Sequence, residues 1–138
     1  MPSDFDDALK VSASAMAAQS VRLRTIAENL ANANTSALTP GGDPYRRKIV
    51  TFRNELDRAT GEELVKVGAI TRDSTPFETH YQPGAPGADA NGYVKTPNVN
   101  SLIELGDLRE AQQSYQANVD VISAAKSMLS QALTLLKN

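Results

Sequence analysis

Two stretches of the chain share one alternation of three- and four-residue steps between apolar or small positions. From Ser101 to Leu136 the series is Leu108, Ala111, Tyr115, Asn118, Ile122, Ala125, Leu129, Ala132 and Leu136. From Ser3 to about Asn34 it is Leu9, Ser12, Met16, Gln19, Leu23, Ile26, Leu30 and Ala33. Steps of this kind place every member on one face of an α-helix, as a heptad seam. Start signals agree. Ser101 stands three residues before Glu104, a capping-box spacing, and Ser3 precedes Asp4, Asp6 and Asp7, which favour the positive helix end. No proline follows Asn98, and Gly106 is the one weak point, costing about 1 kcal/mol relative to Ala.

The predicted C-terminal helix is long for its chain. From Ser101 to Leu136 it measures roughly 54 Å at about 1.5 Å per residue. A compact globule of this chain length has a radius of gyration of about 14 Å and a diameter of roughly 37 Å. The helix therefore overshoots any ball the chain could form and has to pack on something long. Ala13, Ala15, Ala17 and Ala18 keep the N-terminal helix slim enough for another backbone to approach closely. Ser12, Gln19 and Asn118 are polar seam positions, which weaken a helix pair but define its register.

Between the helices the period changes. Asn32 to Pro44 is rich in turn formers and ends the first helix. Lys48 to Phe52, Leu64 to Thr71 and Phe77 to Tyr81 read as short strands, while Tyr93 to Lys95 is either a last strand or an extended lead-in to the long helix. Gln82 to Gly92 is a Pro/Gly loop. The expected fold class is α+β: two long terminal α-helices forming a coiled-coil-like pair, with a small β-rich insertion between them. The expected divisions are 1–35, an N-terminal helix; 36–100, loop and β-rich insertion; and 101–138, a C-terminal helix.

Composition narrows the function classes. The 138 residues carry a formal charge of −2 with acids and bases interspersed, which argues against a nucleic-acid partner. There is no Cys, so disulfides, thiolate metal sites and Cys nucleophiles are excluded together. The first thirty residues hold no apolar run of the kind a cleaved export signal needs, and no segment approaches the roughly 20 apolar residues of a membrane span, so no direct membrane insertion is expected. His80 is the single histidine, which leaves no catalytic triad and no His-rich metal site. Asp89-Ala90-Asn91-Gly92 has the start of a calcium loop but lacks its later ligands and reads as a plain turn. Arg46, Arg47 and Lys48 form a basic cluster at a strand start: a solvated face, or a set of lateral contacts to a neighbour. The expectation is no enzyme, no cofactor and no metal, and the seam residues Leu9, Met16, Leu23, Leu30, Leu108, Tyr115, Asn118, Ile122 and Leu129 as an assembly interface.

Three stretches resemble a known family. Asn29-Leu30-Ala31-Asn32, continued by Ala33-Asn34-Thr35, is similar to the motif near the N-terminus of bacterial flagellar rod/hook axial proteins, and on this resemblance Asn32 joins the interface residues. Pro44-Tyr45-Arg46 and Asp89 through Val99 resemble a signature of the proximal rod protein C branch of that family. Ser114 through Val119, Ala125-Lys126-Ser127-Met128 and Leu133-Thr134-Leu135 resemble its C-terminal helix, although Gln113 stands where that family commonly has Arg. The resemblance implies a structural subunit of the flagellar basal-body rod. It would be exported without a cleaved signal by the type III apparatus and assembled into a helical tube that transmits torque and surrounds the export channel. Implied partners are copies of itself, other rod subunits, the hook-basal-body adaptor protein and the membrane-supramembrane ring. The implied location is a rod spanning the periplasm. A helical adaptor or secretion-needle-like subunit outside the flagellum is the alternative.

Overall fold

The computed structural model describes the backbone of residues 2–138 and the side chains of residues 4–138, so the cap expected of Ser3 lies outside the described side chains. Helix α1 runs Pro2–Ala31, strands β1 Lys48–Leu56, β2 Glu63–Arg72, β3 Glu78–Tyr81 and β4 Tyr93–Thr96 follow, and helix α2 runs Ser101–Lys137. Two long helices thus flank a β insertion, as the periodicity implies. The 37 residues of α2 make it about 56 Å long. No helix among the described residues is long and apolar enough to cross a membrane.

The insertion contains two separate two-stranded sheets, β1 with β2 and β3 with β4. Strands β3 and β4 are antiparallel, with Glu78 opposite Thr96 and Tyr81 opposite Tyr93. This settles the Tyr93 to Lys95 stretch as a strand. Phe77, expected inside β3, stands just before it. The turn after β1 closes where Asp57 N–H donates to Glu62 O at 2.8 Å and Gly61 N–H to Asp57 O at 2.7 Å, with Gly61 at φ 79°.

By contact density the chain divides into two compact units. The first comprises Met1–Leu23, Thr51–Ala69 and Arg109–Asn138; the second comprises Arg24–Val50 and Ile70–Leu108. In the first unit the deepest positions are small: Ser12, Ala18, Ala111 and Ala125 are buried. The bulky seam residues Leu9, Met16, Leu23, Tyr115, Ile122 and Leu129 are half-buried. Small residues let the backbones approach, and larger neighbours then cover the flanks. Arg22 of α1 reaches Glu110 of α2 at 3.5 Å. Ser14 ties in the sheet, since Val65 N–H donates to its Oγ at 3.1 Å while that hydroxyl donates to Val11 O. Lys10 meets Asp57 at 2.8 Å.

The seam protection stops before α2 does. Ala132 and Leu136, the last two positions of the series, are exposed, Leu136 at 84%. Within the first unit one seam atom is poorly served: Gln19 Oε1 is buried and has no hydrogen-bond partner. A buried acceptor without a donor costs about 1–3 kcal/mol. Replacing Gln19 by Leu removes that cost at similar volume, so Gln19→Leu is expected to raise unfolding stability by about 1 kcal/mol, read from the urea midpoint of purified chain. An unchanged or lower midpoint contradicts this account of the seam.

Candidate functional site: a buried polar clamp and uncovered helix faces

The second unit is centred on polar side chains that local sequence patterns assign elsewhere. Helix α2 is capped by Asn100, whose Oδ1 accepts from the N–H groups of Leu102 and Ile103 at 3.1 and 3.3 Å. The Ser101–Glu104 capping box is therefore corrected. Asn100 can rotate its side chain over the first turn from outside the helix, as an N-cap does, and Glu104 is left free to point inward.

Glu104 is wholly buried, with 0% exposure. Arg47 donates from Nε to Glu104 Oε1, and Asn29 donates from Nδ2 to Oε2 at 3.4 Å. The remaining guanidinium nitrogens of Arg47 reach Asp73 at 3.3 Å and Asp107 at 3.5 Å. A carboxylate taken out of water needs a charge partner and hydrogen bonds together, and Glu104 has both.

Asn29, 1% exposed, is the second hub. Its Oδ1 accepts from Tyr45 Oη at 2.8 Å and from Lys48 N–H at 2.9 Å, and its Nδ2 also donates to Lys48 O at 2.9 Å. One side-chain amide therefore pairs with both backbone groups of Lys48, as a strand neighbour would. Lys48 Nζ reaches Glu28 at 2.5 Å. Asn98 completes the ring: it accepts from Arg47 N–H at 2.7 Å and donates to Asp73 O and Thr75 O at 3.1 and 2.9 Å. Arg46 lies over the Phe77 ring at 4.1 Å and donates to Asp73 O and Thr75 O.

The ionisation states follow from these contacts. Hydrogen bonds from Thr75, with Arg47 beside it, hold the Asp73 carboxyl below its usual range. Burial works against the Arg47 charge, but hydrogen bonds and attraction to Glu104 and Asp73 more than offset it and raise its pKa. Burial, with Glu28 and Glu104 adding negative charge nearby, pushes the Tyr45 phenol up, so it stays a donor to Asn29.

The residues of the recognised motifs now have physical roles. Asn29 is the clamp's amide. Asn32 finishes α1, its Nδ2 donating to Glu28 O at 2.9 Å and its Oδ1 accepting from Thr35 Oγ1 at 3.1 Å. Asp89 Oδ1 accepts from the N–H groups of Asn91 and Tyr93, making the Asp89–Gly92 stretch a side-chain-stapled turn. Gly92 sits there at φ 84°, and a Cβ would come within 2.8 Å of the Tyr81 ring, so the turn needs glycine.

Of the sequence-predicted interface residues, Leu30, Asn32 and Leu108 are half-buried in the second unit, and the others belong to the first. Asn118 turns back on its own helix, donating to Ser114 O at 2.9 Å. Arg46, Arg47 and Lys48 all have partners inside the chain. Sequence reasoning missed Glu104, Asp73, Tyr45 and Asn98 as a group. The available signal was Glu104 itself, four residues before Leu108 and so in phase with the apolar seam.

Helix α2 also shows apolar faces that nothing in the described chain covers. Leu102, Ile103 and Leu105 are exposed in the second unit, as are Val121, Met128, Leu133 and Leu135 in the first.

The two terminal segments, which carry Asn29 and Glu104 of the clamp, also define a class. A family model described as flagella basal body rod protein matches residues 9–36, and one described as flagellar basal body rod FlgEFG protein C-terminal matches residues 90–135. Over nearly the whole chain the similarity is narrower. Flagellar basal-body rod protein FlgC of Agrobacterium fabrum is 50% identical over 130 residues, spanning 94% of both chains. Its Salmonella typhimurium counterpart is 46% identical over 127 residues, 91% of this chain and 92% of that one. The Bacillus subtilis protein is 40% identical over 144 residues, 94% and 96%. The chain belongs to the flagellar basal-body rod protein FlgC family, whose members are structural subunits of the rod.

Two outcomes test the clamp. Glu104→Ala takes away the nearest carboxylate of Arg47, leaving Asp73 and Asp107, and is expected to cost about 1–3 kcal/mol, whereas Glu104→Gln, which keeps an acceptor and the volume, costs less; equal urea midpoints for wild type and Glu104→Ala contradict the clamp. The lowered Asp73 pKa means this group's contribution is present above its unfolded value, near 3.8, and is lost as pH falls through the lower folded value. Wild type is therefore expected to lose stability in acid below pH 3.8, and Asp73→Asn to flatten that limb; the same acid limb in both chains refutes the assignment.

Proposed function

We propose that the chain works as a repeating brick of the proximal rod: copies pack side by side and head to tail into a helical tube that carries torque and surrounds the export channel. In this reading the terminal helices form the tube wall and the β insertion faces outward. The chain reaches the rod through the flagellar type III apparatus without a cleaved signal, and the rod it joins spans the periplasm. Its neighbours are copies of itself, other rod subunits, the hook-basal-body adaptor protein and the membrane-supramembrane ring. The role is mechanical rather than enzymatic.

The observation that carries this reading is the uncovered apolar surface of α2, above all Leu135 and Leu136 at 78% and 84% exposure. Bulky apolar side chains in a row on a helix gain about 1.5–3 kcal/mol each when fully buried. A heterologous contact that does not close on itself repeats without end and grows a helical tube. Leu9, Met16, Leu23, Leu30, Leu108, Tyr115, Ile122 and Leu129 contribute the burial, with Asn32 and Asn118 shaping the helix ends and register. Arg46, Arg47 and Lys48 act first on their own chain, by holding the second unit in shape.

Ile122 is the position for the test. Ile122→Leu keeps the apolar volume and is expected to leave motility and rod content normal. Ile122→Asp puts a charge on the half-buried seam and is expected to abolish rod incorporation and motility. Normal swimming by the Ile122→Asp strain overturns the proposal.

A further inference from the structure

Beside the seam, α2 carries a second heptad line that is exposed throughout: Ala117, Val121, Ala124, Met128 and Leu135. It lies about 100° around the helix from the seam, since each residue turns the helix by about 100°. Its bulky members, Val121, Met128 and Leu135, are 48%, 55% and 78% exposed. Helix α1 carries an exposed line of the same period whose middle is small, Ala13, Ala17 and Ser20, with Ala27 beyond; Asp6, Arg24 and Lys10, the last already paired with Asp57, stand in the same phase. A face of large side chains set against a face of small ones lets two helices approach closely, each large side chain sitting between residues of the other helix.

We propose that these two lines meet between copies: the Val121–Met128–Leu135 face of α2 in one copy packs antiparallel on the Ala13–Ala17–Ser20 face of α1 in the next. The proposal rests on the assembly reading above and names one of its contacts. Charge decides the direction. With Met128 against Ala13 in antiparallel register, Val121 falls against Ser20 and Leu135 beside Asp6. Asp120 then lies within reach of Arg24, so this end pairs opposite charges. In parallel register the same Met128–Ala13 contact brings Val121, and with it Asp120, to Asp6, which sets like charges together. The contact is one a single chain leaves unmade, because both lines stay exposed in it.

The absence of cysteine in the natural sequence makes the test direct. One copy carrying Ala13→Cys and a second carrying Met128→Cys are produced together in cells lacking the wild-type chain, and isolated basal bodies are oxidised. A disulfide forms only if the Cα atoms come within about 7 Å, and each copy has one thiol, so the mixed bond has to join two copies. The expected result is a mixed dimer several-fold stronger than from Ala13→Cys with Ser123→Cys, which faces another side of α2. Basal bodies that contain both copies but give no more dimer than the Ser123 control overturn this contact while leaving the rod role intact. Absence of the wild-type chain from basal bodies overturns the rod role and the contact with it. As an independent check, Arg24→Glu is expected to reduce incorporation several-fold and Asp120→Lys in the same chain to restore it; no restoration counts against the antiparallel register.

Discussion

The structure turns on a shortage of cover. The helices run 30 and 37 residues, and α2 leaves large apolar side chains exposed along its length. The chain resolves part of the shortage with alanines: Ala18, Ala111 and Ala125 let backbones come close where larger residues would hold them apart. What remains, along Val121, Met128, Leu133 and Leu135, faces outward. The same residues that would make a solitary protein prone to associate suit one whose family members are structural subunits of the flagellar rod.

The second unit is held in a defined geometry by charge rather than grease. Glu104 lies 57 residues after Arg47 and 75 after Asn29, yet all three share one buried network. A greasy contact tolerates sliding, because any apolar atom serves as well as the next. A carboxylate fitted to a guanidinium and an amide does not, since a shift of one residue leaves a buried charge unpaired. Asn29 adds the same discrimination on the strand side by pairing with both backbone groups of Lys48. Exposed Leu102, Ile103 and Leu105 share the first turns of α2 with Glu104, so the clamp also sets how that face is presented.

The helices and most strand positions were legible in the sequence because they are periodic: the 3–4 steps through Ile122 and the alternation through Thr79 depend on near neighbours alone. The clamp was not legible, because its partners are distant along the chain and each has a plausible local job. Glu104 fits a capping box with Ser101 until Asn100 is seen doing the capping, and Arg46-Arg47-Lys48 reads as a solvated patch until each finds its acid, ring or carbonyl. Asn29 and the Asp89–Gly92 turn were recognisable as family motifs before any physical reason for them was visible. The reason in each case is a hydrogen-bond pattern that only the folded chain displays. Tyr93 to Lys95 stayed open between strand and lead-in because a four-residue strand is too short to show a period, and its partner β3 decided it.

The account stands or falls on whether the chain can shield its own helices. Amide hydrogen exchange across Met128–Lys137, compared between the dilute free subunit and isolated basal bodies, measures this directly. The account predicts rapid exchange in the free chain, where the last turns of α2 have no covering partner, and strong protection in the basal body, where neighbours supply one. Equal, strong protection in the dilute free subunit would mean that the chain completes its own core, and would contradict it.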